Sequence, residues 1–496
     1  MSRNQAESMT EASPRVAARL VVGILSGPIA FLIVWLIPLA GLNPQAHFGL
    51  SVFAWTLAWW VLTPVPWAVT GFLPLVLFPL GGVMSFAATA ALYGQRVLPF
   101  VLGVMLFGHA FQKHGLARRM AVNILSISGV ATSGNRLILM ILISTAAVGT
   151  LIDSAGTVAI MLPIAMSVAR FAAEAQARNL TATGGTAPRL MEASALAVLF
   201  GAAAGGMATP AGVVFNPLAI SLLEQLTGYR ISFAQWTMTG VFFTAAAIPV
   251  YFMTLRVMSP TEIQTIADGA AHFRAEKRTL GPMNRGEKNV LIILVIMVVL
   301  WFSPAVVAIR GIDIWIVPSI AIMLLFLTPI NLRRGEMTLT TRDFQDGVLW
   351  NVLFMIVSSA ATADALEPLG ITEWFADIVK SGVSVAVLPW FAALITPIMA
   401  HLTSGTAATT MISTILFPLA ESLGFNPAIL ARIITGTALG ICFPFAGAAA
   451  GTAFASGAIS FGGMAKAGIL ATAVMAVVVT VLAMVLVPAF GAFTPP

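Results

Sequence analysis

From Leu20 to Gly41 the chain reads LVVGILSGPIAFLIVWLIPLAG, an apolar run without a single charge. A helix crosses the hydrocarbon core of a bilayer with about 20 such residues, and runs of this kind recur along the chain. Backbone N–H and C=O groups find no water at that depth, so only helices and closed barrels can span. Long unbroken apolar runs select helices. The first run is too long for a signal-peptide core and has no small-residue cleavage pattern, so it reads as a retained span. The expected fold class is an all-α polytopic membrane protein.

Composition agrees: 59% of residues are hydrophobic and 9% are charged, against about 25% charged in soluble domains. One cysteine, Cys442, excludes a disulfide framework and any thiolate cluster. The five histidines show no i, i+4 pair, which argues against a metalloenzyme. A net charge of +6 invites a nucleic-acid reading, but its distribution is topological. With the N-terminus inside, Arg15, Arg19, Lys113, Arg118, Arg119, Arg274, Lys277, Arg278, Arg333 and Arg334 all fall in cytoplasmic segments. That bias is the positive-inside rule. It implies a cytoplasmic N-terminus, an outward C-terminus, a bacterial inner (plasma) membrane, lipid as a partner and no nucleic acid.

Residues 1–18 read as a polar tail and 19–47 as the first transmembrane helix. A hydrophilic stretch, 257–288, reads as a cytoplasmic linker between two similar hydrophobic halves, 48–256 and 289–496. Similar halves call for a repeat search. FVLGVMLFGHAFQKHGLARRMAVNIL (100–125) and NVLFMIVSSAATADALEPLGITEWFADIV (351–379) place Gly115 and Gly370 alike. Each half continues with an apolar run, a Ser/Thr/Gly break and a proline, Pro163 or Pro418. A helix interrupted by small residues follows, near 205–217 in one half and near 444–451 in the other. Each half then supplies five spans and a re-entrant hairpin, and an odd number inverts the second half. The expectation is about eleven transmembrane helices plus two re-entrant hairpins in two inverted repeats, the layout of secondary transporters.

The hairpin tips fall near 153–157 and 404–410. Irregular backbone at such depth is tolerated only in protein or beside a water-filled cavity. Half-helix N-termini there favour an anion, and freed carbonyls with hydroxyls favour a cation. Ser154, Thr157, Ser404, Thr406, Thr409 and Thr410 add neutral donors, and no basic side chain is expected near either tip at the midplane. Asp153, in TLIDSAGTVAIMLPIA, is the exception to this neutrality. A charge at that depth costs about 2.5–3.5 kcal/mol on insertion scales. It reads either as a helix cap or as a carboxylate that holds a coupling cation or a proton.

These motifs carry a family resemblance over nearly the whole chain. WTLAWWVLTPVPWAVTGFLPLVLFPLGGV (55–83), the two hairpins and the two breaks resemble the divalent anion/sodium symporter family, carriers of dicarboxylates, citrate or sulfate. That family bears a Ser-Asn-Thr triplet at each tip and a Thr-Pro-Pro-Asn-like break after it. Here the first triplet aligns on Asp153-Ser154-Ala155. The second aligns on Ser404-Gly405-Thr406 by local similarity, or on Ala408-Thr409-Thr410 by spacing from Pro418. The breaks align on Val213–Asn216 after Gly212, and on Gly447, Ala448, Ala449 and Ala450. Both signature asparagines are absent. The resemblance implies Na+ as a coupling ion near Gly149, Asp153, Ser154, Gly212 and Ala446. It implies a substrate site of Ser154, Ala155, Thr157, Ser404, Gly405, Thr406, Thr409, Thr410, Gly447 and Ala448. A homodimer and an elevator-type movement are implied in the same way.

The function expected is secondary transport of a small dianion, a C4-dicarboxylate first, coupled to sodium or protons. Cation-independent anion exchange, sulfate or citrate transport, and a channel are the alternatives. No HExxH, GxSxG or clustered catalytic acids suggest an enzyme, and no cofactor is expected. Plainer readings stand beside several residues. GAAAGG can be close helix packing. Trp55, Trp59 and Trp60 can be interfacial or packing aromatics. His401 can be a hydrogen-bonded structural histidine, and Asp364 and Glu367 solvated.

Overall fold

The computed structural model describes residues 14–126, 133–179, 188–261, 277–303, 313–371 and 384–490, with 275 and 374 besides. Helices dominate. The first stretch holds α1 (Pro14–Leu36), α2 (Pro44–Leu62), α3 (Trp67–Thr70), α4 (Leu73–Leu80) and α5 (Phe86–Leu92). Next come α6 (Val97–Lys113), α7 (Leu116–Leu125), α8 (Gly134–Gly149), α9 (Ser154–Asn179) and α10 (Pro188–Gly206). They are followed by α11 (Phe215–Thr227), α12 (Phe233–Met258), α13 (Arg285–Phe302) and α14 (Val317–Leu327). A two-stranded ribbon of β1 (Pro329–Asn331) and β2 (Glu336–Met337) precedes α15 (Thr341–Asp346) and α16 (Trp350–Leu366). The chain then forms α17 (Leu388–Leu402), α18 (Gly405–Ser422), α19 (Pro427–Thr437), α20 (Ala448–Ala455) and α21 (Phe461–Ala489).

Among the described residues, five helices are long and apolar enough to cross a membrane. They are Phe86–Lys113, Ser154–Glu174, Phe233–Met258, Val385–Leu402 and Phe461–Ala489. Five shorter apolar helices accompany them. Helix α21 turns Ile469, Val477, Val481 and Val485 outward, the exposure a lipid-facing helix requires.

Several boundaries differ from the sequence reading. The expected first span, 19–47, is the end of one helix and the start of another. Helix α1 stops at Leu36, and Asn43 starts α2 by accepting the Ala46 N–H at 2.7 Å, with Pro44 in the first turn. Residues 14–18, expected in the tail, already belong to α1. Helix α2 ends at Thr63, held in the left-handed region at φ 45° before Pro64 and Pro66. Proline lacks an N–H and cannot continue a helix. Part of the 257–288 linker, 262–274 and 276, lies outside the described residues.

The chain divides into two compact units. One comprises residues 1–95 and 350–378 and holds α1–α5 and α16. There Val52, Phe53, Phe78, Ala365 and Leu366 form a buried core. Trp59 donates to the Ile24 carbonyl, and Trp60 is fully buried. The tryptophans are thus packing residues. Asp364 is not merely solvated: it is partly buried and accepts a short hydrogen bond from Gln95. The Glu367 side chain lies outside the described residues.

The other unit, residues 96–349 and 379–496, carries both hairpins and both helix breaks. Its polar end is tied by carboxylates. Glu287 completes a capping box with Asn284 and accepts from Arg119 at 2.7 Å. Asp343 accepts from Lys113 (2.7 Å), His109 (3.1 Å) and both Thr340 groups (2.7 and 2.6 Å). Burial alone would raise the Asp343 carboxyl pKa, but these four bonds outweigh it and hold it below the usual carboxylate range.

Candidate functional site

Each tip is a helix end followed at once by a capped helix start. At the first, α8 closes on Gly149 and residues 150–153 turn the chain. The predicted tip at 153–157 is therefore mostly the first turn of α9. Asp153 occupies the N-cap, its Oδ2 accepting the Ala155 N–H at 3.0 Å. The backbone N–H groups of Ser154 and of Val214 lie near enough to favour the carboxylate electrostatically. A carboxylate is favoured at a helix N-terminus because the unpaired N–H groups carry partial positive charge. Asp153 serves two such ends, since Val214 begins α11.

At the second tip, Thr403 ends α17 and Ser404 caps α18, its Oγ accepting the Ala407 N–H at 3.1 Å. Ser404 thus matches Asp153 as an N-cap. Helix position therefore pairs Asp153-Ser154-Ala155 with Ser404-Gly405-Thr406, while Thr409 and Thr410 sit a turn further along. Thr409 is fully buried and its hydroxyl has no partner, as is true of Ser413. Thr410 donates to the Thr406 carbonyl. Thr157 is equally buried but spends its hydroxyl on the Ile152 carbonyl at 3.3 Å, inside its own tip.

The first break, 207–214, lies between α10 and α11, where the sequence placed it. It is built from close backbone approach. A Cβ on Gly212 would stand 3.0 Å from the Gly149 carbonyl oxygen and 3.1 Å from that of Gly205. One on Gly206 would stand 3.3 Å from Ser154 Oγ and 3.5 Å from the Gly212 oxygen. The carbonyl oxygens of Gly149 and Gly205 therefore lie beside Gly212, and Ser154 Oγ and the Gly212 oxygen lie beside Gly206. Thr209 Oγ1 ties the break to the first tip by donating to the Thr150 carbonyl at 2.7 Å. The small residues of GAAAGG are close-packing residues: a Cβ on Gly205 would lie 2.3 Å from the Ala146 oxygen.

The second break begins earlier than 444–451. Helix α19 ends at Thr437, and irregular backbone runs through 438–447, including a short turn over Pro444–Ala446. Ala448 already starts α20. Gly447 adopts φ 155°, with nothing within 4 Å of its Cβ direction. His401 is a structural residue that ties this break to the second tip. Its Nδ1 bonds the Pro397 carbonyl at 2.6 Å and its Nε2 accepts the Cys442 N–H at 2.8 Å.

The two halves interlock. Helix α11, from the first break, packs against α18 of the second tip, and α20, from the second break, packs against α9 of the first. Gly405 makes the first contact possible, because a Cβ there would stand 2.8 Å from the Phe215 ring. A cavity of about 680 Å³ beside His401 is lined by apolar groups such as Trp390, Leu394, Phe445 and Val477 and offers a dianion little.

A basic side chain lies within this core at the first break: Arg432, on α19, is 3% exposed and donates to the Met207 carbonyl at 3.2 Å. The sequence reading looked for charge only at the tips. A lone arginine inside PAILARIITGT was the available signal.

The family described as the sodium:sulfate symporter transmembrane region matches residues 19–491. The chain belongs to this family. Its members are membrane transporters, and the chain is a transporter rather than an enzyme. A sodium-dependent dicarboxylate transporter, SdcS, of Staphylococcus aureus (strain USA300) is 25% identical over 492 residues, covering 95% of this chain and 92% of that one. The SdcS of Staphylococcus saprophyticus is 26% identical over 490 residues, covering 94% and 91%. Among solved structures, the YdaH transporter of Alcanivorax borkumensis superposes with a TM-score of 0.53 at 13% identity, covering 83% of this chain and 88% of its own. That last likeness concerns the fold.

Proposed function

We propose that this family member is a secondary active transporter of small divalent anions, C4-dicarboxylates foremost, coupled to sodium or protons. The observation that carries the reading is the interlocking of two capped tips and two helix breaks in one unit. Helix N-termini bind anions through unpaired N–H groups. The second tip adds the unpartnered hydroxyl of Thr409 beside Ser404, Gly405, Thr406 and Thr410. Neutral donors can hold a dianion and still release it. The names of the curated relatives support the dicarboxylate choice and a sodium role.

The oxygens around Gly149, Ser154 and Gly212, with the Asp153 carboxylate, are the proposed coupling site of the first repeat; Ala446 belongs to the second. The unit that holds both tips is proposed as the body that moves in an elevator-type cycle. We further propose a homodimer in a bacterial inner membrane with a cytoplasmic N-terminus. The deciding experiment is uptake of labelled succinate into proteoliposomes, with and without sodium and a pH gradient. Accumulation that needs either gradient supports the reading, and no succinate movement under any condition removes it.

Cation-independent exchange is the second reading, favoured by one observation. Carbonyls left free by a helix break are the natural ligands of a cation, and in the first break several are already taken. Asn216 Nδ2 donates to the Gly206 and Thr209 carbonyls at 2.9 and 2.8 Å, and Arg432 donates to that of Met207. Succinate-for-succinate counterflow without either gradient distinguishes the two.

A further inference from the structure

Arg432 is a buried charge without a counter-charge. Among the described residues no carboxylate pairs with it. Its guanidinium lies between two aromatic faces, 4.2 Å from the Trp236 ring centroid and 4.6 Å from that of Phe243. Trp236 is fully buried and Phe243 nearly so. Among the described residues its one polar contact is Nη2 to the Met207 carbonyl, and Nε is buried without a partner. A cation held between ring faces and a carbonyl sits in a cage made for cations, since both present negative potential.

The placement within the break is specific. Met207 follows α10, so its carbonyl stands at the negative end of that half-helix, where an ion could neutralise the dipole. At the opposite end of the same break, the Asp153 carboxylate lies near the Val214 N–H. The two poles of the interrupted helix thus each face a side chain of opposite sign.

We propose that Arg432 is a resident cation, a positioning residue that closes the carbonyl end of the first break and does there what an exchangeable cation would otherwise have to do. This deepens the transporter reading and rests on it. It implies that the shape of the first break is independent of bound sodium at Met207, so exchangeable coupling cations are confined to other oxygens. It also implies that removing the side chain leaves a vacant cage for a small monovalent cation, guanidinium above all.

The test uses the full-length protein with Arg432→Ala, Arg432→Lys and Arg432→Met, and reads thermal unfolding in detergent and uptake in proteoliposomes. Arg432→Ala is expected to melt lower than wild type, and ethylguanidinium is expected to restore both its melting temperature and its uptake. Uptake by Arg432→Ala without a guanidinium should fall at least about tenfold, the scale of one lost charged hydrogen bond. Arg432→Lys should stay close to wild type, whereas Arg432→Met, which keeps volume without charge, should acquire a steeper sodium requirement.

If Arg432→Ala does not fold, the Lys and Met variants decide, and equal behaviour of the two overturns the proposal. Wild-type melting and cation dependence in Arg432→Ala overturn it, as does a loss that no guanidinium repairs. A raised half-saturation for dianions, with cation dependence unchanged, would make Arg432 a substrate ligand instead. The melting arm needs no transport, so a protein that moves no dicarboxylate would sink the functional reading while leaving guanidinium rescue to judge Arg432.

Discussion

The two tips are both capped helix starts and are chemically unlike. At the first, Asp153 accepts the Ala155 N–H near those of Ser154 and Val214, and Thr157 turns its hydroxyl inward. At the second, Ser404 caps α18, and among the described residues Thr409 leaves a buried hydroxyl unpaired. A buried donor without a partner costs about 1–3 kcal/mol, so it persists where something else satisfies it. The first tip is closed on itself, and the second has capacity left for a ligand. Under the proposed function the two tips do different work: the first holds geometry and coupling charge, and the second recognises the anion.

The sharpest way to break that assignment is Asp153→Asn. The amide keeps the shape but removes the negative charge, so gradient-driven accumulation is expected to vanish while anion exchange survives. Accumulation with wild-type dependence on sodium and pH would reduce Asp153 to a cap. Next in size is Gly405→Ala, whose Cβ must push the Phe215 ring from 2.8 Å. We expect uptake to fall roughly tenfold, the outcome of about 1–3 kcal/mol of overpacking. Partial recovery in Gly405→Ala with Phe215→Leu would locate the clash, and unchanged uptake in the single variant would show that the second tip and the first break need not pack this closely.

A smaller effect separates two threonines. Thr409→Val removes a hydroxyl that has no protein partner, so stability should hold or rise while the half-saturation for succinate increases. Thr157→Val loses a bond to the Ile152 carbonyl and should cost about 1 kcal/mol of stability with little change in affinity. Reversed results from melting and uptake curves would exchange the roles of the tips.

A last prediction, a control on pH, leaves transport untouched. Asp343 has its pKa depressed by its hydrogen bonds. Its stabilisation is therefore complete above the unfolded carboxylate value, about 3.9, and is lost only as pH falls through the lower folded value. From about pH 5 upward Asp343 stays ionised, and any pH dependence of coupling there belongs to other groups. Asp343→Asn should lower stability by about 1–2 kcal/mol at neutral pH. Melting temperatures of wild type and variant that converge already near pH 6 would contradict this.

Much of this was legible before any coordinates. Apolar runs announced helices, and Ser/Thr/Gly clusters ahead of Pro163 and Pro418 announced the tips. Gly115 and Gly370, placed alike in the two halves, both have positive φ, 81° and 72°. What was misread lay at boundaries and partners. The second break starts at 438 because irregular backbone extends through Leu439 to Cys442, residues that look as apolar as any helix. Asp364 looked solvated because Gln95, its partner, is distant in sequence.

What the sequence determined by itself are properties set by neighbours a few residues apart: hydropathy, caps, glycine breaks and the sign bias of the loops. These depend on local hydrogen bonding and on transfer from water, which a short window of residues already specifies. Only the tertiary structure decided which charges meet which ends of the first break. Arg432 and Met207 lie 225 residues apart, and Asp153 reaches Val214 across the whole of α9 and α10. Whether a buried charge is a liability or a ligand is set by the groups that packing brings around it, and no local pattern encodes those.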